Sequence, residues 1–339
     1  MKQSPTLVDV AKHAGVSPMT VSRVLAGSAH VRPELQEKVH ASVAALGYRR
    51  NENARHLRQG KGSGLIGVAI TNIDNPYYAE LVLGIEDVAR QSGRRLLLGT
   101  TQEDSERESR LIDDFIGRQV EGLIVVPSGG RGHLRRARPE QTPLVFASRT
   151  VAGIPADAVL VDDVNGAYDG ATALLTRGHR RVAFLGNSES VSTSRRRLEG
   201  FLLAHEDAGV EPEQQLIRLG GQTADQAQQI AEQLLALPEP PDAFFATNNR
   251  NSLGVLNALG ALYAAGRLDG PPGLAFFDHF ELSDFVPWPM VLVVHDAREV
   301  GRLSAQLLLD HLAADAATWL PRSVQVPTTL LHLPGHGLA

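Results

Sequence analysis

Apolar positions near the start of the chain recur at the three- and four-residue spacing of short amphipathic helices. The apolar residues within 7–14 share one helical face, Thr6 is placed to cap its start, and Gly15 is placed to end it. After a three-residue turn, Ser17 can cap a second helix that begins at Pro18, where a missing N–H is not needed. The pattern therefore predicts two short helices joined by a tight turn.

The second helix has one apolar face and one polar, basic face. Val21, Val24 and Leu25 are spaced to point toward the first helix, and a further apolar stripe predicts a third helix between residues 33 and 47. Two helices joined in this way form a helix-turn-helix unit, whose second helix enters the major groove of DNA. The residues left for the outer face of that helix are Pro18, Met19, Thr20, Ser22 and Arg23.

From residue 65 onward the pattern changes to short β-rich runs that alternate with amphipathic helices. Runs such as LIGVAI, GLIVVPS and RVAFLGN are typical of parallel strands covered on both faces. Two such series, each of about 100 residues, predict two Rossmann-like lobes with a ligand cleft at the carboxyl ends of their strands. The tail, from MVLVVHD through GRLSAQLLLDHL, is expected to cross back and complete the first lobe.

The predicted fold class is thus an all-α helix-turn-helix headpiece followed by an α/β body of two Rossmann-like lobes. The expected division is a headpiece at 1–48, a basic hinge linker at 49–63 and a body at 64–339, with a first lobe of about 64–161 plus 292–322 and a second lobe of about 162–290 plus the C-terminal tail.

The distribution of charge supports a nucleic-acid partner for the headpiece. The 339 residues carry a net charge of −5, yet residues 1–60 hold nine Lys or Arg against four acids, a balance of +5 that leaves −10 for the rest. A basic segment on an acidic body indicates contact with a polyanion. The chain has no cysteine, no apolar run long enough to span a bilayer, and no secretory signal at its start, so a cytoplasmic location is expected.

Signatures of catalysis and metal binding are absent from the sequence. It contains no HExxH, GxSxG or GxxxxGK[ST] pattern, and its twelve histidines do not group at ligand spacings. Adjacent acids such as Asp162 and Asp163 point in different directions and make no acid/base pair by themselves. We expect no catalytic residue, no metal and no cofactor. Two alternatives stay open, a plain solute-binding protein and an enzyme on a doubly wound fold.

The chain resembles the lactose-repressor (LacI/GalR) family of transcription regulators over essentially its whole length. The most specific segments are TLVDVAKHAGVSPMTVSRVLAG and VRPELQEKVHASVAALGYRRN, supported by NPYYAELVLGIE, RQVEGLIV, RGHRRVAFLG and GLAFFD. The resemblance implies lobes of the periplasmic-binding-protein type. It also implies a dimer that binds palindromic operator DNA, usually as a repressor of carbohydrate genes, under the control of a sugar-type effector in the interlobe cleft.

The same resemblance implies which headpiece residues contact DNA. Pro18, Met19 and Arg23 occupy base-reading positions, and Arg23 can donate two hydrogen bonds to guanine O6 and N7. Pro18 and Met19 offer only apolar contact, for instance with a thymine methyl; the alternative for Met19 is a half-buried surface residue. Phosphate contacts, which set register without reading sequence, are assigned to Thr6, Ser17, Thr20 and Ser22.

The linker acquires a role from the resemblance as well. In this family it forms a helix on operator DNA, and the residue matching Leu57 inserts into the minor groove, as apolar wedges do in proteins that bend DNA. Asn51 and Ala54 are further predicted contacts in this segment. In the alternative, Leu57 merely packs on the body.

For the effector, the resemblance points to residues that can each pair with several hydroxyls or with an anion. Arg197, Asn248 and Asp278 match positions that commonly hold a sugar. An alternative for each candidate is a lobe-to-lobe salt bridge. The resemblance also suggests Tyr77, Tyr78, Arg149 and His295 as effector contacts.

Three departures from sugar-binding relatives bear on the ligand. Ser148 stands where an Asp often precedes Arg149, Asn249 replaces an Asp, and GGQTADQ lacks an aromatic that often stacks on sugar rings. Fewer acids beside retained arginines favour an acidic or phosphorylated ligand. Likeness of the tail to the fructose-type catabolite regulators and of PMTVSR to the gluconate-type repressors agrees with that hypothesis.

The ending LLHLPGHGLA is too short and too rich in Gly and Pro for a heptad zipper, which favours a dimer.

Overall fold

The structure, a computed structural model, describes residues 5–27, 31–48, 62–129, 134, 142–268, 270–280, 283–315 and 319–335. The chain divides into two compact units, Met1–Ser63 and Gly64–Ala339. The predicted linker, including Asn51, Ala54 and Leu57, lies outside the described residues apart from positions 62 and 63.

The described part of the headpiece contains three helices, α1 (Leu7–Ala14), α2 (Pro18–Leu25) and α3 (Pro33–Leu46). The Thr6 hydroxyl accepts the backbone N–H of Asp9, and Gly15 ends α1 with φ 66°, a conformation that glycine adopts without strain. The predicted caps of the first two helices are confirmed, since the Ser17 hydroxyl also accepts the backbone N–H of Thr20 at 3.1 Å.

The headpiece core is small and joins all three helices. Val10 and Ala11 of α1, Val21 and Val24 of α2, and Val39 of α3 form one buried apolar cluster. The apolar face predicted for α2 is therefore buried, and its polar face is left outward.

The first lobe of the body contains a six-stranded parallel sheet with the strand order β11-β5-β4-β3-β1-β2. Helix α10 packs along α4 and across strands of this sheet. The elements are β1 (Leu65–Ile70), α4 (Pro76–Gln91), β2 (Arg95–Thr100), α5 (Ser105–Gly117), β3 (Gly122–Val125), β4 (Leu144–Ser148), β5 (Asp157–Val161), α10 (Ala297–Ala313) and β11 (Ser323–Val326).

The second lobe repeats this plan, with the strand order β12-β10-β9-β8-β6-β7. Its strands are parallel except β12, which runs antiparallel to β10. The elements are α6 (Asp163–Leu175), β6 (Val182–Gly186), α7 (Ser192–Asp207), β7 (Ile217–Leu219), α8 (Ala224–Leu235), β8 (Ala243–Ala246), α9 (Asn249–Ala264), β9 (Gly273–Phe277), β10 (Met290–Val294) and β12 (Thr329–Leu333).

The chain passes between the lobes after β5, after β10 and after β11. The bounds of the returning first-lobe segment differ slightly from the expected 292–322. Strand β10 belongs to the second sheet up to Val294, and β11 extends the first sheet to Val326. The boundaries differ because the crossings fall at strand ends, which apolar runs mark only within a few residues. The predicted fold class, a helix-turn-helix headpiece plus a two-lobed α/β body, is confirmed.

Candidate functional site

The carboxyl ends of strands from both sheets meet around one cavity of about 310 Å³. This is the position at which ligands bind in doubly wound folds. Residues that follow β1, β2, β8 and β9 contribute to its wall. Six of the seven residues predicted to contact an effector line it, namely Tyr77, Tyr78, Arg149, Arg197, Asn248 and Asp278.

Four non-glycine residues on the cavity wall have a left-handed backbone. Gln102 and Glu103 have φ of 53° and 60°, Ser148 has φ 65°, and Asp278 has φ 74°. Such conformations cost about 1–3 kcal/mol each and are concentrated at ligand sites, where surrounding structure maintains them. The strain here coincides with strand ends: β2 ends shortly before Gln102, β4 ends at Ser148, and β9 ends just before Asp278.

Arg149 is held at the first-lobe wall by a carboxylate and two neutral acceptors. Its Nη1 and Nη2 donate to the two carboxylate oxygens of Glu103 at 2.7 and 2.9 Å, a bidentate pair. The same nitrogens donate to the carbonyl of Pro127 and to the hydroxyl of Tyr78, each at 3.3 Å. Arg149 is only 6% exposed, so its charge depends on these partners for compensation.

The two tyrosines of α4 belong to the same wall. Their rings meet edge to face with centroids 5.1 Å apart, and the Tyr77 hydroxyl is hydrogen-bonded to the Ser148 hydroxyl. Burial raises the pKa of Tyr78, with nearby Arg149 opposing the rise, and burial likewise raises the pKa of Tyr77. Both phenols are therefore protonated at neutral pH and available as hydrogen-bonding groups.

Arg197 is held at the second-lobe wall by a buried carboxylate that sequence reasoning missed. Its Nε donates to Asp163 Oδ1 at 2.9 Å, its Nη1 donates to the Thr247 carbonyl, and its guanidinium carbon lies 3.6 Å from the centre of the Phe277 ring. The second oxygen of Asp163 accepts from Arg196 at 2.6 Å. Asp163, 1% exposed, thus orients two neighbouring arginines.

Asp278 and His295 are a buried pair at the second-lobe side of the cavity. His295 Nδ1 lies 3.6 Å from Asp278 Oδ1, too far for a hydrogen bond, and among the described residues neither atom has a hydrogen-bond partner. Burial, opposed by Arg197 and Arg149, raises the pKa of Asp278; burial and the charge of Arg197 lower the pKa of His295 to about 4. His295 does not itself line the cavity; its ring lies 5.3 Å from that of Tyr77.

A hydrogen bond joins the first turns of two helices across the cleft. Asn75 caps α4, and its side-chain oxygen also accepts Nδ2 of Asn249 in α9 at 2.6 Å. Asn248 caps α9 by accepting the backbone N–H of Asn251, and its amide N–H₂ can donate to a ligand in the cavity that it lines.

The ion pairs of the two predicted arginines lie within a lobe, not between lobes. Glu103 and Arg149 both belong to the first lobe, and Asp163 and Arg197 both belong to the second. The acid missing at Ser148 is therefore replaced by Glu103 from the β2–α5 turn. Among the described residues, the hydrogen bonds that join the lobes here include the Asn75–Asn249 bond and a 3.4 Å bond from Arg196 to the Ser148 carbonyl. The backbone N–H of Thr150 also donates to the Ser192 hydroxyl at 3.3 Å.

Sequence reasoning missed Glu103, Asp163, Asn75 and Arg250, which also borders the cavity. Asn75 could have been found, because an Asn before Pro is a helix N-cap signal. Asp163 and Glu103 follow strand ends, where site residues concentrate, yet nothing local distinguishes them from neighbouring acids.

In the headpiece, α2 presents the predicted base-reading residues to the outside. Met19 is 64% exposed, and Pro18 and Arg23 are exposed as well, whereas Thr20 and Ser22 are half-buried. The alternative in which Met19 is a half-buried surface residue is therefore wrong, because its side chain is exposed. Ser17 is exposed, and its hydroxyl, which caps the helix, also lies 2.9 Å from the Thr20 hydroxyl.

The described residues contain no group of three or more His, Asp or Glu side chains that could hold a metal ion. No helix in the same ranges is long and apolar enough to cross a membrane.

Comparisons with known proteins agree with both parts of the chain. Residues 6–51 match bacterial regulatory proteins of the lacI family, and residues 63–333 match periplasmic binding proteins and the sugar binding domain of the LacI family. The chain is 30% identical to catabolite control protein A of Priestia megaterium, covering 91% of this chain and 92% of that protein.

Two further similarities extend over most of the chain. It is 29% identical to the HTH-type transcriptional repressor CytR of Escherichia coli (strain K12), covering 91% of this chain and 89% of that protein. The solved complex of the transcriptional regulator CelR with cellobiose has a TM-score of 0.69 at 27% identity, covering 98% of this chain and 100% of that one.

A helix-turn-helix headpiece followed by a two-lobed body with a polar cleft defines a ligand-responsive DNA-binding regulator. The chain belongs to the LacI family of bacterial regulatory proteins. The family resemblance is thereby confirmed, and so is the expectation that the chain is a transcription regulator and not an enzyme.

Proposed function

We propose that this chain is a cytoplasmic homodimeric repressor of carbohydrate genes, and that a sugar-type effector bound in the interlobe cleft changes its affinity for a palindromic operator. The observation that carries the proposal is the pairing of two surfaces in one chain. One is the outward face of α2; the other is a cavity walled by buried, oriented polar groups. A solute-binding protein would need only the second surface.

On the DNA side, Arg23 reads a guanine, and Pro18 and Met19 contact apolar base edges. The polar residues of the headpiece, Thr6, Ser17, Thr20 and Ser22, bind phosphates. Exposure of Arg23 and Met19 supports this division, because base-reading side chains must reach past the helix surface.

On the effector side, the polar cavity supports a polyhydroxylated ligand. Asp278 lines the cavity and is 7% exposed, so its carboxylate can accept hydroxyl donors of a sugar. Arg197 and Asn248 offer donors on the same wall, and Tyr77 and Tyr78 lie opposite in the first lobe.

The DNA-binding part is tested by selecting operator sequences on the immobilised full-length protein and then measuring mobility shifts. Binding by the full chain and loss of binding on deletion of residues 1–60 are expected. Binding that survives this deletion would rule out a headpiece-dependent regulator.

The effector part is tested by thermal unfolding of the full chain with a panel of neutral sugars, sugar acids and sugar phosphates. A ligand that raises the midpoint should do so less in Asp278→Asn. If no sugar or sugar derivative raises the midpoint, the proposal of a sugar-type effector is wrong.

A further inference from the structure

The charge partner of Arg149 is itself accessible from the cavity. Glu103 borders the cavity and its side chain is 20% exposed, whereas the Arg149 side chain is 8% exposed. Among the described residues, no other carboxylate forms an ion pair with Arg149. The residue before Arg149 is the neutral Ser148.

The Arg149 fork is held by neutral groups independently of Glu103. The Pro127 carbonyl and the Tyr78 hydroxyl each accept one hydrogen bond from it. The fork would therefore stay in place if the Glu103 carboxylate moved away, and it already has the orientation that a bidentate anion requires.

The turn that carries Glu103 is anchored at both ends. Thr101 is fully buried before it and donates its backbone N–H to the Ile70 carbonyl, and Asp104 after it caps α5. Gln102 and Glu103 between them are both left-handed. Because the backbone on either side is fixed, the movement left to Glu103 is rotation of its side chain.

We propose that Glu103 is an internal counter-ion which an anionic group of the effector, a phosphate or a carboxylate, replaces at Arg149. This exchange rests on the proposed function, since it takes place in the effector cleft, and it names Glu103 as the residue that sets the charge preference of the site. The sugar part of such a ligand would reach the side of the cavity that Asp278 lines.

The exchange predicts that removing the charge of Glu103 makes the site a better receptor for a simple anion. In Glu103→Gln, Arg149 is left without its counter-ion, and inorganic phosphate should bind there about tenfold more tightly than in the wild type. The measurement is the thermal unfolding midpoint of the full chain as phosphate rises at constant ionic strength, with chloride as the reference anion. Glu103→Asp keeps the charge on a shorter side chain, so its affinity for phosphate should lie between those of the wild type and Glu103→Gln.

Two control variants decide whether the effect arises at this site. Glu106→Gln removes an exposed carboxylate three residues away, whose salt bridge to Arg110 is solvated, and should respond to phosphate as the wild type does. The double variant Glu103→Gln/Arg149→Met should not show the increased affinity for phosphate. An equal response of Glu103→Gln and wild type to phosphate, or a gain that persists without Arg149, would overturn the exchange.

These outcomes are separable from the proposed function. Suppose that Glu103→Gln unfolds cooperatively and still binds the selected operator DNA but binds phosphate no more tightly than the wild type. The proposed exchange at Arg149 is then wrong, and the proposed function as a regulator stands. If the wild type binds no selected DNA, the proposed function is wrong, independently of the phosphate result.

Discussion

The headpiece and the cleft present charged groups in opposite ways. Arg23 of the headpiece is exposed and has no ion pair within the described residues, whereas Arg149 and Arg197 of the cleft are 6% and 7% exposed and are tied to carboxylates. A DNA surface can use exposed side chains because the polyanion supplies their partners on binding. A small ligand gives fewer contacts, so its site must be oriented in advance.

It follows that substitutions in the two regions should separate stability from binding. In the headpiece, loss of a recognition side chain should reduce DNA affinity and leave folding intact. In the cleft, the same kind of change should reduce stability as well, because it leaves a buried charge without its partner.

The largest effect is expected for Asp163→Asn, which removes the carboxylate shared by Arg196 and Arg197. Two arginines lose their common partner, one of them buried, and the free energy of unfolding should fall by about 3–5 kcal/mol. Urea unfolding at pH 7 measures it. The exposed Asp113→Asn is the matched control and should change stability by less than about 0.5 kcal/mol. A loss as small as the control's would mean that the cleft charges are not held by this network.

A pH-dependent effect of about 2 kcal/mol is expected from His295. Burial lowers its pKa from 6.5 to about 4, so the unfolded chain binds the proton more readily. Its contribution to stability is fully present above pH 6.5 and is lost as the pH falls from there toward 4. When the pH is lowered from 7 to 4.5, the free energy of unfolding of His295→Phe should therefore fall by about 2 kcal/mol less than that of the wild type.

The control for His295 is the exposed His279→Phe, which should show the wild-type loss across the same pH interval. Denaturant unfolding at both pH values gives the comparison. Identical losses in all three proteins would contradict a buried, neutral His295.

Arg23→Ala should weaken binding to the selected operator by about 1–3 kcal/mol, or roughly 5- to 150-fold, with the thermal midpoint unchanged. The expected reason is loss of two hydrogen bonds to one guanine. Arg23→Lys keeps the charge but not the fork and should recover only part of the affinity, measured by fluorescence anisotropy at fixed salt. A lower midpoint with unchanged affinity would assign Arg23 to folding instead.

The smallest effect, about 1 kcal/mol, is expected for Ser17→Ala, because the Ser17 hydroxyl caps α2. Amide hydrogen exchange within α2 of the full chain should become faster by about fivefold, the equivalent of that free energy. Ser22→Ala, in the middle of the same helix, should not speed exchange, since alanine is the better helix former. Equal exchange in both variants would show that the cap is not used.

The headpiece was predictable from the sequence nearly residue by residue, and the cleft only in part. Thr6, Gly15 and Ser17 act on backbone groups within three or four positions, so their roles are visible locally. The strands of both lobes were also visible as apolar runs. Glu103 meets Arg149 across 46 positions, and Asn75 meets Asn249 across 174, contacts that only the folded topology creates.

The same long-range contacts determine the balance of charge in the cleft. Read along the chain, Ser148 beside Arg149 indicated an excess of positive charge. In the folded protein, Glu103 forms an ion pair with Arg149, and Asp163 forms one with Arg197. A preference for an anionic ligand therefore depends on whether the Glu103 carboxylate can move away from Arg149. Sequence neighbours were a poor guide to electrostatic neighbours at this site.

The most direct test of a regulator with two coupled surfaces is reciprocal binding on the full-length wild type. Operator affinity is measured with and without the sugar derivative that most raises the thermal midpoint, and affinity for that ligand is measured with and without operator. Coupling requires both ratios to be the same factor, about fivefold or more. A ligand that binds the cleft and leaves operator affinity unchanged would contradict the account.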